Sequence, residues 1–159
     1  MRRLLRLALI AGAAGGLVVA GLLLTDGKEQ IEILRPADAS LISAEKGEAL
    51  LGLAGCVNCH TAKGDGAAPL AGGRALETPF GVFYAPNITS DAEHGVGAWS
   101  EEDFVRALRY GRSPDGGHYF PAFPYVAYTR MTDADILAVR AAIMARPGAA
   151  QPDKPHEIG

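Results

Sequence analysis

The chain has 159 residues, 48% of them hydrophobic, which suffices for one globular domain plus an appendage. Part of that apolar content is an N-terminal run preceded by Arg2, Arg3 and Arg6. Setting those three aside leaves 12 basic against 18 acidic residues, a net charge of −6, which argues against nucleic acid or anionic lipid as a partner of the remainder.

From Leu7 to Leu24 no residue is charged. As a helix the run would reach about 27 Å, close to the hydrocarbon thickness of a bilayer. It lacks a clean A-x-A cleavage site and exceeds a usual signal h-region, so it reads as a membrane anchor over residues 1–24, with a signal peptide as the alternative. The arginines before it place that end in the cytoplasm and the rest outside, in the periplasm of a bacterium. Ala8, Gly12, Gly16 and Ala20 recur every four residues, a small-residue stripe that would let another membrane helix approach; such residues are also simply common in membrane segments.

Residues 25–42, with Pro36 and several acids, read as a tether. Ser43 is placed as an N-cap, with Ala44, Gly47, Leu50, Leu51 and Ala54 on one helical face. That helix delivers the chain to Cys56-Val57-Asn58-Cys59-His60, which contains both cysteines of the chain. Two cysteines three apart with a histidine directly after form the pattern that attaches a c-type haem. A Cys56–Cys59 disulfide is the oxidising-compartment alternative, but it leaves His60 without a role.

From Thr61 to Trp99 glycines and prolines abound and no periodicity holds. So long a loop is acceptable if a large apolar macrocycle serves as the core it wraps. Ser100 to Asp103 approximates a capping box opening a helix whose apolar face is Phe104, Val105 and Leu108, with Gly111 at its end. An irregular aromatic stretch follows. Thr132 to Asp135 opens the last helix, which runs to Arg146 before Pro147 and Gly148. The domain is thus expected over residues 43–147 and a polar, extended tail over 148–159.

If a haem is present, His60 is its proximal ligand. Met131, on the loop before the last helix, is the best candidate opposite it, and a thioether there gives the His/Met arrangement of electron carriers. Met144 lies on the apolar face of the last helix and reads as core. His118 is the rival ligand or a surface histidine in a Gly-rich turn; His94, between Glu93 and Gly95, reads as exposed. A zinc site from Cys56, Cys59 and two histidines matches no compact zinc spacing. Around the haem, the Pro69 carbonyl is expected to accept from the free nitrogen of His60. Tyr84 and Trp99 are expected either to donate to the propionates or to cover the macrocycle edge.

Residues 70–89 (LAGGRALETPFGVFYAPNIT), 95–125 (GVGAWSEEDFVRALRYGRSPDGGHYFPAFPY) and 129–136 (TRMTDADI) resemble the single-haem domains of bacterial cytochrome c subunits that accept electrons in membrane-bound periplasmic dehydrogenases for alcohols, aldehydes, sugars and sugar acids. The resemblance covers about residues 44–146. It implies a small all-α, class I-like cytochrome c fold around one covalent haem c, with His60 and Met131 on the iron. Many relatives place methionine in Met-Pro-Tyr where this chain has Phe123-Pro124-Tyr125, which leaves the ligand to Met131. Relatives also often carry an aromatic in the last helix where this chain has Ala142. The implied function is electron transfer from a dehydrogenase or other donor to the respiratory chain, without catalysis at a six-coordinate iron. The alternatives are a haem enzyme or gas sensor with a displaceable methionine, and a structural zinc module.

Overall fold

The computed structural model describes residues 31–36 and 38–159. The apolar run at 7–24, its stripe at Ala8, Gly12, Gly16 and Ala20, and the first part of the tether lie outside the described residues. Among those described, no helix is long and apolar enough to cross a membrane.

Each main helix begins where a side-chain oxygen takes up a free backbone N–H. Ser43 accepts from Lys46 N at 3.2 Å and opens α1, Ala44–Leu53. Ser100 and Asp103 form a reciprocal capping box ahead of α3, Glu101–Tyr110. Thr132 accepts from Asp135 N at 3.1 Å and opens α4, Asp133–Met144. These caps satisfy donors that the first helical turn cannot satisfy itself. Between α1 and α3 lies a single turn, α2, Cys56–Cys59. A short 3-10 turn, Tyr125–Ala127, precedes α4.

The core forms where α1 and α3 pack on α4. Leu51, Val105, Ile136 and Val139 are all 1% exposed or less. Gly47 makes the α1–α4 approach possible. A methyl group there would sit 2.6 Å from the carbonyl carbon of Ala138 and 2.8 Å from Ala142 Cβ. Ala142 is therefore the small partner of a small residue. The two helices meet at their backbones.

The helical fold is as expected, but it also carries a small sheet that the expectation did not include. β1, Ala75–Thr78, and β2, Gly81–Tyr84, form an antiparallel hairpin, and β3, Glu157–Ile158, pairs with β2 in the order β1-β2-β3. The hairpin turn is held by Thr78, whose hydroxyl accepts from Phe80 N at 3.1 Å and donates to Gly81 O at 2.9 Å. Gly81 has φ +120 and lies against β3, where a Cβ would come within 2.9 Å of Ile158 Cα. Glycine alone meets both demands. The C-terminal tail is extended but lies along the body of the domain, since residues 149–158 hydrogen-bond to the segment from Ala71 to Thr89.

Candidate functional site

Only Ala54 and Gly55 separate α1 from α2, and the left-handed backbone of Gly55 (φ +74) turns the chain between them. Cys56 and Cys59 then stand three positions apart on α2, one turn, so both side chains lie on the same side of it. Both thiols are free; Cys56 is half-buried and Cys59 exposed. Burial pushes the Cys56 thiol above its ordinary value, and the neighbouring Cys59 adds to the rise. Cys56 and Val57 pack against the buried cluster.

His60 caps α2, its N–H donating to Cys56 O at 2.8 Å. Its Nδ1 lies 2.8 Å from Pro86 O. A carbonyl only accepts, so Nδ1 carries the proton and Nε2 keeps a free lone pair, the tautomer a metal-binding imidazole needs. Burial lowers the pKa of the ring; the Pro86 bond and the negative charge of Asp153 oppose the shift without cancelling it. The imidazole is therefore neutral at neutral pH.

The carbonyl that holds His60 is thus Pro86, and the expectation of Pro69 is corrected. Pro69 is exposed because the next residue, Leu70, turns inward with φ +63 and is 1% exposed. Leu70 N donates to Thr61 Oγ1 at 3.1 Å, and Leu70 O accepts from Ile88 N at 2.9 Å. Those two bonds hold a backbone conformation that costs a non-glycine residue about 1–3 kcal/mol.

Met131 sits between the 3-10 turn and α4, half-buried against the same cluster as Cys56, Val57 and Leu108. Two side chains unmarked by any sequence motif hold its segment. Arg109 donates from Nη2 to Met131 O at 2.7 Å and pairs through Nη1 with the buried Asp133 at 2.5 Å. Asp133 also accepts from Leu34 N at 2.7 Å. Tyr128 donates its hydroxyl to Ala54 O at 2.9 Å, tying the methionine loop to the backbone just ahead of Cys56. Burial raises the Tyr128 phenol pKa, and the two nearby thiols raise it further.

Tyr84 does not keep its hydroxyl free for a propionate. It donates to Glu157 Oε1 at 2.8 Å, and Lys154 Nζ lies 3.7 Å from the ring centroid. Trp99 is half-buried against the core, and its carbonyl accepts from Arg140 at 2.9 Å. His118 is exposed in a bridge with Arg112; His94 stands 4.0 Å from Glu93. Among the described residues no group of three or more His, Cys, Asp or Glu is placed to hold a metal ion. The donor chemistry that is assembled fits a covalent haem: two free thiols on one turn, an imidazole of fixed tautomer, and a half-buried thioether on a loop hydrogen-bonded to the thiol segment.

Asn87, unmarked in the sequence, is the most densely bonded polar residue near His60. It is 3% exposed, donates from Nδ2 to Ala149 O at 2.8 Å and Gln151 O at 2.9 Å, and accepts at Oδ1 from Thr89 N and Oγ1. Its Pro-Asn context reads locally as a turn signal, and only the returning tail shows its other role.

Residues 44–144 match the family model described as cytochrome c. The chain is 37% identical to a protein named diheme cytochrome c-type from Cereibacter sphaeroides, over 97% of this chain and 50% of that one. It is 44% identical to the cytochrome c subunit of an alcohol dehydrogenase (quinone) from Gluconobacter oxydans, over 68% of this chain and 22% of that one. It is also 44% identical to the fructose dehydrogenase cytochrome subunit of Gluconobacter japonicus, over 69% and 22%. The chain thus spans half or less of the length of these relatives.

Proposed function

The chain belongs to the cytochrome c family, and from that premise we propose that it carries electrons, one at a time, from a dehydrogenase to the respiratory chain as a periplasmic, membrane-anchored cytochrome with one covalent haem. The observation that carries this reading is the α2 turn with its two free thiols, followed by His60 with Nδ1 held by Pro86 and Nε2 free.

In this reading Cys56 and Cys59 would hold the haem through their thiols, and His60 Nε2 and Met131 Sδ would be the side-chain donors to its iron. The haem, when bound, supplies a one-electron iron couple. Pro86 orients His60 and makes its imidazole a better donor. Met131 favours the ferrous state, and Arg109 and Tyr128 hold the backbone that presents it. An iron held by both His60 and Met131 would leave no place for a substrate, which suits a carrier better than an enzyme.

The relatives named as cytochrome subunits of alcohol and fructose dehydrogenases support a dehydrogenase as donor. The single cysteine pair supports one haem in this stretch, although a relative is named diheme. The proposed organisation is an anchor at 1–24, a tether at 25–42, the haem domain at 43–147 and a tail at 148–159. Arg2, Arg3 and Arg6 ahead of the uncharged run support the anchor and its orientation. The acidic balance suits a donor with a basic or neutral docking face and a complex that weakens with salt.

The test compares reduced and oxidised visible spectra of the wild type and Met131→Leu, with the mass of the haem-loaded chain. The expected result is one haem per chain and a weak far-red sulfur-to-iron band in the ferric wild type, absent from the variant. A band that survives in Met131→Leu refutes the ligand assignment. Fast carbon monoxide binding by the untreated reduced wild type refutes the carrier reading in favour of a haem enzyme or sensor.

A further inference from the structure

The C-terminal tail reaches the haem ligand through one peptide group. Pro86 C=O and Asn87 N–H are the two ends of the same planar amide. The carbonyl end accepts from His60 Nδ1 at 2.8 Å, and the N–H end donates to Asp153 Oδ1 at 2.6 Å. Carboxylate, peptide and imidazole form an unbroken hydrogen-bonded chain from residue 153 to residue 60.

We propose that Asp153 is a positioning residue that acts through the Pro86–Asn87 peptide on His60, strengthening the imidazole as an iron ligand and lowering the reduction potential. An anionic acceptor on an amide N–H polarises that amide and makes its carbonyl a stronger acceptor. A stronger acceptor on Nδ1–H pushes electron density toward Nε2, as a carboxylate bonded directly to a metal-bound histidine does. Greater density on Nε2 favours the ferric over the ferrous state.

The surroundings hold the relay in register. His60 O accepts from Gly72 N at 2.7 Å, so both the backbone and the ring of the ligand are anchored. Gly72 has no room for a side chain, since a Cβ would stand 2.6 Å from both Asn87 N and Pro86 C. Gln151 donates from Nε2 to Ala71 O at 2.9 Å, and Asn87 grips Ala149 and Gln151. These contacts dock the tail but lie outside the relay, so docking and polarisation can be separated experimentally.

The inference rests on the haem reading above. The experiment is a redox titration of the haem-loaded protein with Asp153→Ala, Asp153→Asn and Gln151→Ala. Asp153→Ala is expected to raise the reduced-to-oxidised ratio at a fixed potential about threefold, which is about 28 mV at about 59 mV per tenfold for one electron. Asp153→Asn keeps an acceptor but not the charge, and is expected to give a smaller rise. Gln151→Ala is expected to lower stability and leave the potential unchanged. An unchanged potential in Asp153→Ala, or an equal shift in Gln151→Ala, overturns the relay.

A second measurement needs no change in potential. The Asn87 amide proton of the reduced protein is expected far downfield, returning toward the ordinary amide range in Asp153→Asn; an ordinary position in the wild type overturns the proposal even if Asp153→Ala fails to fold. A preparation without covalent haem refutes the cytochrome reading instead, and the amide shift still reports whether Asp153 holds Asn87.

Discussion

Gly47→Ala tests whether the α1–α4 contact is built on the absence of a side chain. Alanine in place of glycine favours a helix by up to about 1 kcal/mol, so propensity alone predicts a more stable protein. The structure predicts the reverse. The new methyl group would lie 2.8 Å from Ala142 Cβ and 2.6 Å from the Ala138 carbonyl carbon, and closer still to the carbonyl oxygen. None of those atoms can rotate away, because two belong to the backbone of α4 and the third is bonded directly to it. Overpacking of this kind costs about 1–3 kcal/mol, and with rigid obstacles the upper part of that range applies. We expect a net loss of about 2 kcal/mol, or roughly 6–10 °C in Tm at about 3–5 °C per kcal/mol. Urea unfolding followed by far-UV circular dichroism should show a lower midpoint with an unchanged slope. Gly52→Ala is the control, since it lies on the same helix with nothing within 4 Å of its Cβ position. It should be neutral or slightly stabilising. If Gly47→Ala proves as stable as Gly52→Ala, the close-approach argument fails.

Arg109→Met should cost about 3 kcal/mol in urea unfolding, because it leaves the buried Asp133 without its cation as well as freeing Met131 O. The far-red band should also be lost at a lower temperature than in the wild type. Lys46→Met should move acid unfolding to higher pH. The Asp135 carboxyl lies below its ordinary value of 3.8, first because of Lys46 at 2.6 Å, with Thr132 adding to the shift and burial opposing it. Since the folded pKa lies below the unfolded one, this contribution is complete above about pH 4 and is lost as pH falls through the depressed value. With both side chains about a third exposed, the pair contributes only about 0.5 kcal/mol, a loss expected in Lys46→Met at neutral pH that fades as the carboxyl becomes protonated at the acid end.

Helix starts were legible because a cap is a contact between residues two or three apart. Ser43, Ser100 and Thr132 announce α1, α3 and α4 by their own chemistry, and the hydroxyl of each is bonded as that chemistry requires. Asp133 was legible only as an acid in a first turn. Its burial depends on Arg109 and Leu34, far away in the chain, and no local spacing encodes them. The choice between Pro69 and Pro86 was equally closed to the sequence. Both lie in a loop without periodicity, and the outcome turns on the inward rotation of Leu70.

The Cys56-Val57-Asn58-Cys59-His60 stretch is local enough for the sequence alone to determine its chemistry: two thiols one turn apart and an imidazole beside them. Composition likewise determined the acidic balance, and the capped apolar periodicities determined three helices. Tertiary structure decided what surrounds the imidazole. His60 meets Pro86, Asn87 meets Asp153, and Tyr84 gives its hydroxyl to Glu157, pairings that span 26, 66 and 73 positions. A helix turn or a cap brings together residues already adjacent in the chain, whereas these contacts exist only after loop and tail have closed over one another.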